Sequence, residues 1–310
     1  MNENVKKLSV VIPVYNDEEV IDELIRRLWP ACEKICSEFE VILINDGSKD
    51  HSWEKIQAQC SRHANLIGLN LARNFGQQGA LAAGLSHAKG DVIVLMDSDL
   101  QDRPEDIHLL IESMFEHKAS MAVAQWESRK DTFMKQFVSR LFFVVNNRLT
   151  TLKVEPRLGI FRAMRSSITE ELKNFGETTS TTVSLLYYIG TNYVCVPLKR
   201  DARFAGTSGY NLKKMLSLTL TRILSFSMTP IRIVTFSGLC ISGAAILFAI
   251  FLVIRAIFGA TAPGWTSIAV LITFLFGLNF AFLGIIGEYI GRIFLEAKHR
   301  PRFIVAEKIN

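Results

Sequence analysis

Acidic side chains gather where short apolar runs end. Asp97-Ser98-Asp99 follows the run VIVLM at 92–96, and Leu100-Gln101-Asp102 comes directly after it. Asn45-Asp46-Gly47-Ser48 closes an earlier run, and Pro13-Val14-Tyr15-Asn16-Asp17-Glu18 closes the first. Paired carboxylates at the tip of a buried strand are costly unless a cation neutralises them. A hard divalent cation with oxygen ligands, shared with a diphosphate, is the natural solution. A D-x-D alone is a weak signal, because acidic turns are common. One βα unit after Asp46-Gly47-Ser48 it gains weight.

The elements that must position these groups are short. Residues 8–13, 39–45, 65–71 and 91–96 read as strands, separated by helical stretches at 20–28, 52–62, 80–87 and 104–115. Strand and helix in alternation predict an α/β domain with a mostly parallel sheet and helices on both faces. Ligands in such sheets bind beyond the carboxyl ends of the strands. The acidic tips would therefore share one rim.

The chain has 310 residues, 49% of them hydrophobic and 21% charged, with a mean hydropathy of +0.23. Both percentages hold only if the apolar residues are unevenly spread, which excludes a disordered chain and a purely membrane-buried transporter. A net charge of +5 is too small for nucleic-acid binding and suits an anionic membrane surface or a phosphorylated substrate. The five cysteines lack metal-site spacing and read as reduced thiols of a cytosolic domain. Residues 233–254 and 265–287 are charge-free runs of 22 and 23 residues, each long enough to cross a hydrocarbon core. Two in succession predict a transmembrane helical hairpin. Lys213, Lys214, Arg222 and Arg232 precede it and Arg292, Lys298, Arg300 and Arg302 follow it, which puts both ends in the cytoplasm despite Arg255 in the turn. No secretory signal is expected at the N-terminus. Residues 133–149 and 212–228 mix apolar and basic positions and read as interfacial amphipathic helices or ordinary domain helices, the second favouring the interface.

The motifs PVYNDE, NDGSKD, ARNFGQQGALAAGL, DSDLQDRPEDI, RFAGTSGY, SFSMTPIR and GEYIGRIFLEAKHRPRFIV, in this order, resemble the polyprenyl-phosphate glycosyltransferases. These belong to glycosyltransferase family 2, have the GT-A fold, and include bactoprenol glucosyltransferases and dolichyl-phosphate mannose synthases. The resemblance covers almost the whole chain. It implies that Pro13, Tyr15 and Glu18 form the first donor-nucleotide loop and that Asp46 reads the nucleotide base. It makes Asp97 and Asp99 the ligands of Mg2+ or Mn2+ and of the diphosphate, followed by the polar Gln101. Arg200 and Arg203 would close over the phosphates, with Asp99 the catalytic core of the site. A guanidinium fork suits phosphate oxygens better than an ammonium does; a solvated basic turn is the other reading. Arg162, Ser208 and Tyr210 fall in the acceptor and phosphate loops, and Asn74, Gln77 and Gln78 could line the donor pocket.

Two departures stand out. Ile160 occupies the place of an acid that usually precedes Phe-Arg, with Glu155 the nearest carboxylate, and Ser208-Gly209-Tyr210 lacks a lysine that Lys213 or Lys214 could replace. A lipid phosphate is already anionic, so general-base help, worth roughly 10²–10⁴-fold for a hydroxyl, is largely irrelevant to it.

The expected arrangement is a cytoplasmic GT-A catalytic domain over 1–211, juxtamembrane helices over 212–230, two spans within 231–290 and a cytoplasmic tail over 291–310. The expected reaction is inverting transfer of one sugar from a nucleotide diphosphate sugar to polyprenyl phosphate at the inner membrane, supplying cell-surface glycan modification. UDP-glucose is the default donor on resemblance alone; N-acetylglucosamine, galactose, mannose and a modified pentose stay open. A homo-oligomer, a tetramer, is implied by the resemblance. A processive synthase would need more spans and a Q-x-x-R-W motif. An inactive scaffold would be favoured only by Ile160.

Overall fold

β1 (Leu8–Val14) is buried along its whole length, and so is β2 (Phe39–Asn45). Strands covered on both faces carry continuous apolar sequence, which LSVVIPV and FEVILIN supply. The structure, a computed structural model, describes residues 5–126, 158–175, 181–189, 192–201, 229–257 and 264–310. β3 (Leu66–Leu71) and β4 (Val92–Leu95) complete the expected parallel set. β5 (Met121–Trp126), β6 (Leu158–Arg165), β7 (Tyr193–Leu198) and β8 (Val305–Ile309) extend the sheet, in the order β7-β5-β6-β4-β1-β2-β3-β8. β6 runs antiparallel to both β4 and β5, and β8 runs antiparallel to β3.

The order reverses at β1. The chain steps outward through β2 and β3, then returns to place β4 on the other side of β1. Such a switch point opens a crevice at the carboxyl ends of the two strands flanking it. The tips of β1 and β4 carry Tyr15–Glu18 and Asp97–Asp99, so topology places both at that crevice.

Side-chain alternation divides the core. Val10, Ile12 and Val14 meet α1 (Ile21–Ile35), α2 (Ser52–Cys60) and α4 (Ile107–Glu116) through Leu24, Leu28, Ile56, Leu110 and Met114. Val11, Ile42 and Ile44 face α3 (Gly76–His87), α5 (Ser166–Lys173) and α6 (Thr182–Ile189). α1 outruns its expected end at 28 because the apolar stripe continues through Ala31, Cys32 and Ile35. Pro30 interrupts its hydrogen bonding on the exposed side, where water can serve the freed carbonyl. α3 lies close on the sheet. A Cβ on Gly84 would meet Val11 Cγ1 at 2.3 Å and Ile44 Cδ1 at 2.7 Å.

α7 (Thr229–Ile257) and α8 (Trp265–Ala297) are 29 and 33 residues long. At 1.5 Å per residue they extend about 44 and about 50 Å, beyond the roughly 30 Å of a hydrocarbon core. Phe236 and Leu247 on α7 and Phe280 and Ile293 on α8 are 66–71% exposed, an apolar surface of the kind that marks a protein or lipid contact. Among the described residues one stretch, Leu278–Ala297, has the length and hydropathy of a membrane span. It begins well inside the expected second run and continues past Glu288, which Arg292 neutralises one turn on at 3.1 Å. After α8 the chain returns to the catalytic sheet as β8, where a tail was expected. Trp53 Nε1 donates to Glu307 Oε2 at 3.2 Å, and Asn310 Nδ2 donates to the carbonyls of Cys60 and Leu66. The expected interfacial helices at 133–149 and 212–228 lie outside the described residues.

Candidate active site

The first two strand tips are laced together. Asn16, in the left-handed region at φ +53°, donates its N–H to Ser48 Oγ at 3.0 Å and accepts from the N–H of Lys49 at 2.8 Å. Glu18 accepts the N–H of His51 at 2.8 Å, so the carboxylate expected on the nucleotide fastens the start of α2. Tyr15 is 45% exposed on this loop. Pro13 lies inside β1. Met96 donates to the carbonyl of Val11 and Asp46 to that of Val14, so by alternation Pro13 turns towards the β4 side. The β1–β4 ladder ends at Leu95, and the missing N–H of Pro13 therefore costs no pairing.

Asp46 is buried and accepts the N–H of Phe75 at 2.7 Å. Burial raises its carboxyl above the ordinary range, and the N–H groups of Phe75 and Gly76 oppose the rise. Its present role is thus to hold the loop entering α3. Gly47, at φ +65°, lets that loop come close, since a Cβ there would stand 2.5 Å from the backbone nitrogen of Asn74. Held this way, α3 projects Gln77, whose Nε2 donates to Asp97 Oδ1 at 2.7 Å. Gln78 instead turns to α6, accepting the N–H of Val183 at 3.1 Å.

The D-x-D sits on a kinked tip. Leu100 has φ +57°, Asp99 Oδ1 accepts the N–H of Gln101 at 3.1 Å, and Ser98 Oγ donates to the carboxylate of Asp17. Gln101 also accepts the N–H of Asp201 on its carbonyl at 3.0 Å, joining this tip to the segment after β7. That segment delivers Arg200. Its Nη2 lies 3.7 Å from Asp97 Oδ2, its Nε donates to Asp102 Oδ1 at 3.0 Å, and its guanidinium covers the Trp126 ring at 5.0 Å. Asp102 is fully buried. Burial pushes its carboxyl up to about 7, with Arg200 opposing and Asp97 and Asp99 adding to the rise.

Arg162 departs from expectation. It is fully buried in β6, donating through Nη2 to the carbonyl of Gly159 at 2.6 Å and through Nε to that of Ile160 at 2.9 Å, with its guanidinium over Tyr187. Where an acid at 160 could offer a carboxylate, Ile160 packs with the core, and backbone carbonyls and a ring face serve the charge instead. Arg203, Ser208, Tyr210, Glu155, Lys213 and Lys214 lie outside the described residues. The sequence reading gave Asp102 and Trp126 no role, although Asp102 stood in a strand-tip run.

No group of three acidic, histidine or cysteine side chains able to hold a metal occurs among the described residues. Two half-buried carboxylates at an open crevice nevertheless fit a hard cation whose other ligands come from a substrate phosphate. Asp97 and Asp99 would hold it, with Gln77 orienting Asp97.

A sequence model described as glycosyl transferase family 2 matches residues 9–173. Over 302 residues the chain is 34% identical to the uncharacterized glycosyltransferase sll0501 of Synechocystis, covering 97% of this chain and 95% of that one. Over 301 residues it is 36% identical to the bactoprenol glucosyl transferase of Shigella phage SfV, covering 96% and 98%. The fold is similar to that of glucosyl-3-phosphoglycerate synthase from Mycobacterium tuberculosis, solved with Mn2+, UDP-glucose and phosphoglyceric acid. The TM-score is 0.51 at 19% identity, over 71% of this chain and 78% of that one, a likeness of the GT-A-like fold alone. With the family matched over residues 9–173 and with 34% and 36% identity along almost the whole chain, this protein is a glycosyltransferase and belongs to glycosyl transferase family 2.

Proposed function

We propose that the enzyme transfers a single hexose, glucose in the first instance, from a uridine diphosphate sugar to polyprenyl phosphate at the cytoplasmic membrane face. The observation that carries this reading is Arg200 drawn onto the D-x-D at the switch point, in a chain with a full-length relative named bactoprenol glucosyl transferase. The Mn2+ and UDP-glucose of the structural relative support the donor class.

The reaction is a displacement. An oxygen of the lipid phosphate forms a bond to the anomeric carbon as the bond to the diphosphate breaks, inverting that carbon. Mg2+ or Mn2+ would act as a Lewis acid on the leaving diphosphate. Asp97 and Asp99 would hold the cation, and the fork of Arg200, with Arg203 from the same segment, takes up charge developing on the phosphates. Tyr15 offers a ring face to the base beside the buried Asp46. Pro13 shapes the loop, and Gln101 orients the D-x-D. Ser208 and Tyr210 are assigned to the acceptor side. Holding the lipid phosphate beside the donor makes attack effectively unimolecular.

The reading includes a two-span membrane hairpin formed by α7 and α8, with the GT-A domain over 1–211 and the tail over 291–310 on one side. The pairing of β8 with β3, which returns the chain after α8 to the sheet, supports an even number of crossings. The exposed apolar side chains of both helices support lipid contact. The test is turnover of a panel of labelled nucleotide sugars with short polyprenyl phosphate in detergent, with and without divalent cation. Transfer from UDP-glucose in the presence of cation is expected; transfer to water alone, or none from any donor, would overturn the reading.

A further inference from the structure

Asp102 is a carboxylate with 0% exposure, so no ligand can reach it. One oxygen accepts from Arg200 Nε at 3.0 Å; the other is buried and has no hydrogen-bond partner among the described residues. Burying a carboxylate and leaving half of it unsatisfied is destabilising. What the arrangement does provide is a fixed guanidinium. Trp126 covers one face of Arg200, and Trp126 is itself set against Gly159, where a Cβ would come within 2.6 Å of its Nε1, and stacked parallel to Phe161. Arg200 is thus held along its edge by Asp102 and across its face by Trp126, while its Nη2 only leans on Asp97 at 3.7 Å.

The difference between 3.0 and 3.7 Å matters for what happens when a donor arrives. An arginine tethered by Asp97 alone would lose its partner once a cation took that carboxylate. An arginine tethered by Asp102 stays on the rim, with the rest of its five N–H donors available to phosphate oxygens. We propose that Asp102 is a positioning residue: it anchors Arg200 beside the D-x-D so that the guanidinium meets the donor diphosphate already in place. The proposal rests on the donor-site reading above and adds to it the residue that presets the phosphate clamp.

The test is a double-mutant cycle on the full chain in detergent, with UDP and Mn2+ as the probe, read by calorimetry and by thermal unfolding of the same samples. Asp102→Asn keeps the shape, removes the charge and is expected to weaken UDP binding about tenfold, the size of one charge-assisted hydrogen bond. Arg200→Ala is expected to weaken it at least as much, and the double variant no further than Arg200→Ala alone. In unfolding, Arg200→Ala strands a buried carboxylate and should lower the melting temperature, and adding Asp102→Asn should restore it. UDP affinity unchanged in Asp102→Asn, or losses that multiply in the double variant, overturns the proposal. Failure of the second substitution to rescue stability also overturns it, by showing that Asp102 does not act through Arg200. If the unaltered protein binds no UDP, the donor-site reading falls and this role with it, whereas the unfolding arm still reports whether the pair exists.

Discussion

The backbone N–H of Ala72 donates to the carbonyl of Ile304 at 2.9 Å. The segment leaving α8 is thereby fastened to the loop that Asp46 holds at the entrance to α3. Phe303 and Val305 pack against the core face beneath α3, and β8 completes the contact along β3. The segment after α8 and the rim that carries Asp46 and Gln77 are therefore both fastened to the loop at 72–76.

Deleting residues 303–310 should loosen both. Loss of the partly buried Phe303 and Val305 and of the edge pairing is expected to remove about 2 kcal/mol or more. That corresponds to about 2–4 °C of melting temperature per kcal/mol for a domain of this size. UDP affinity should fall with it, because the 72–76 loop loses its brace. Thermal unfolding and calorimetry on the truncated chain check this; unchanged values in both would show that β8 only covers an edge.

Asp99→Ala should abolish cation-dependent transfer without unfolding the domain. Asp99 is a half-buried tip residue that accepts a local hydrogen bond from the N–H of Gln101. Removing an electrostatic contribution of several kcal/mol to the leaving diphosphate corresponds to a rate loss of about 10²–10³-fold. Initial rates over a range of Mn2+ concentrations, beside circular dichroism of the same protein, make the comparison. Turnover equal to the parent with and without cation would remove Asp99 from the site.

Gly84→Leu should act on the site from the far end of α3. Its side chain would collide with Val11 and Ile44, so α3 must lift from the sheet. Overpacking of this kind costs about 1–3 kcal/mol or more. Because α3 also carries Gln77 to Asp97, the donor KM should rise along with the fall in melting temperature. A destabilised variant with the parent KM would show that the start of α3 is held independently, by Asp46.

The four parallel strands were legible because each is a short apolar run ended by polar residues, and the switch point follows from their order. β8 was not legible. VAEKI alternates on an exposed edge and looks like any charged tail until β3 gives it a partner. Arg162 was misread for a related reason. The family motif marks it as polar and functional, but only the fold shows a guanidinium served by its own strand's carbonyls. Asp102 stood in plain view among other acids, and only burial separates it from them. Arg200 was named from the family motif alone, and the fold sets it beside Asp97 and Asp102.

The buried Asp102 also makes stability depend on pH. Its folded carboxyl, at about 7, lies above the 3.8 of an ordinary aspartate. Between those values the folded state binds the extra proton, so stability falls as pH rises from about 4 to about 7 and is level above that. Denaturant unfolding of the metal-free protein at several pH values, compared with Asp102→Asn, isolates this contribution. The difference between the two proteins should grow across that window and favour the asparagine variant at its upper end. A constant difference would mean that Asp102 is ionised throughout.

Ile160→Asp asks whether the site lacks a base. Ile160 is in β6, half-buried against the face that α3, α5 and α6 cover, and its carbonyl accepts from Arg162 Nε. A carboxylate there loses apolar packing and part of its solvation, a destabilisation of about 1–3 kcal/mol. In return it could pair with the buried guanidinium of Arg162, drawing that side chain from the carbonyls of Gly159 and Ile160. In the proposed reaction neither change supplies anything the nucleophile needs, because a lipid phosphate is an anion before it binds. If the carboxylate instead reached the incoming phosphate, like-charge repulsion of about 1–4 kcal/mol at 4 Å would oppose acceptor binding. The expected outcome is therefore a lower melting temperature, a rate equal to or below the parent, and an unchanged or raised KM for polyprenyl phosphate. The measurement is initial rate at saturating UDP-glucose with the acceptor varied. A gain of about 10²-fold, within the range of general-base catalysis, would show that the acceptor must lose a proton in the transition state, and the phosphate could then not be the nucleophile.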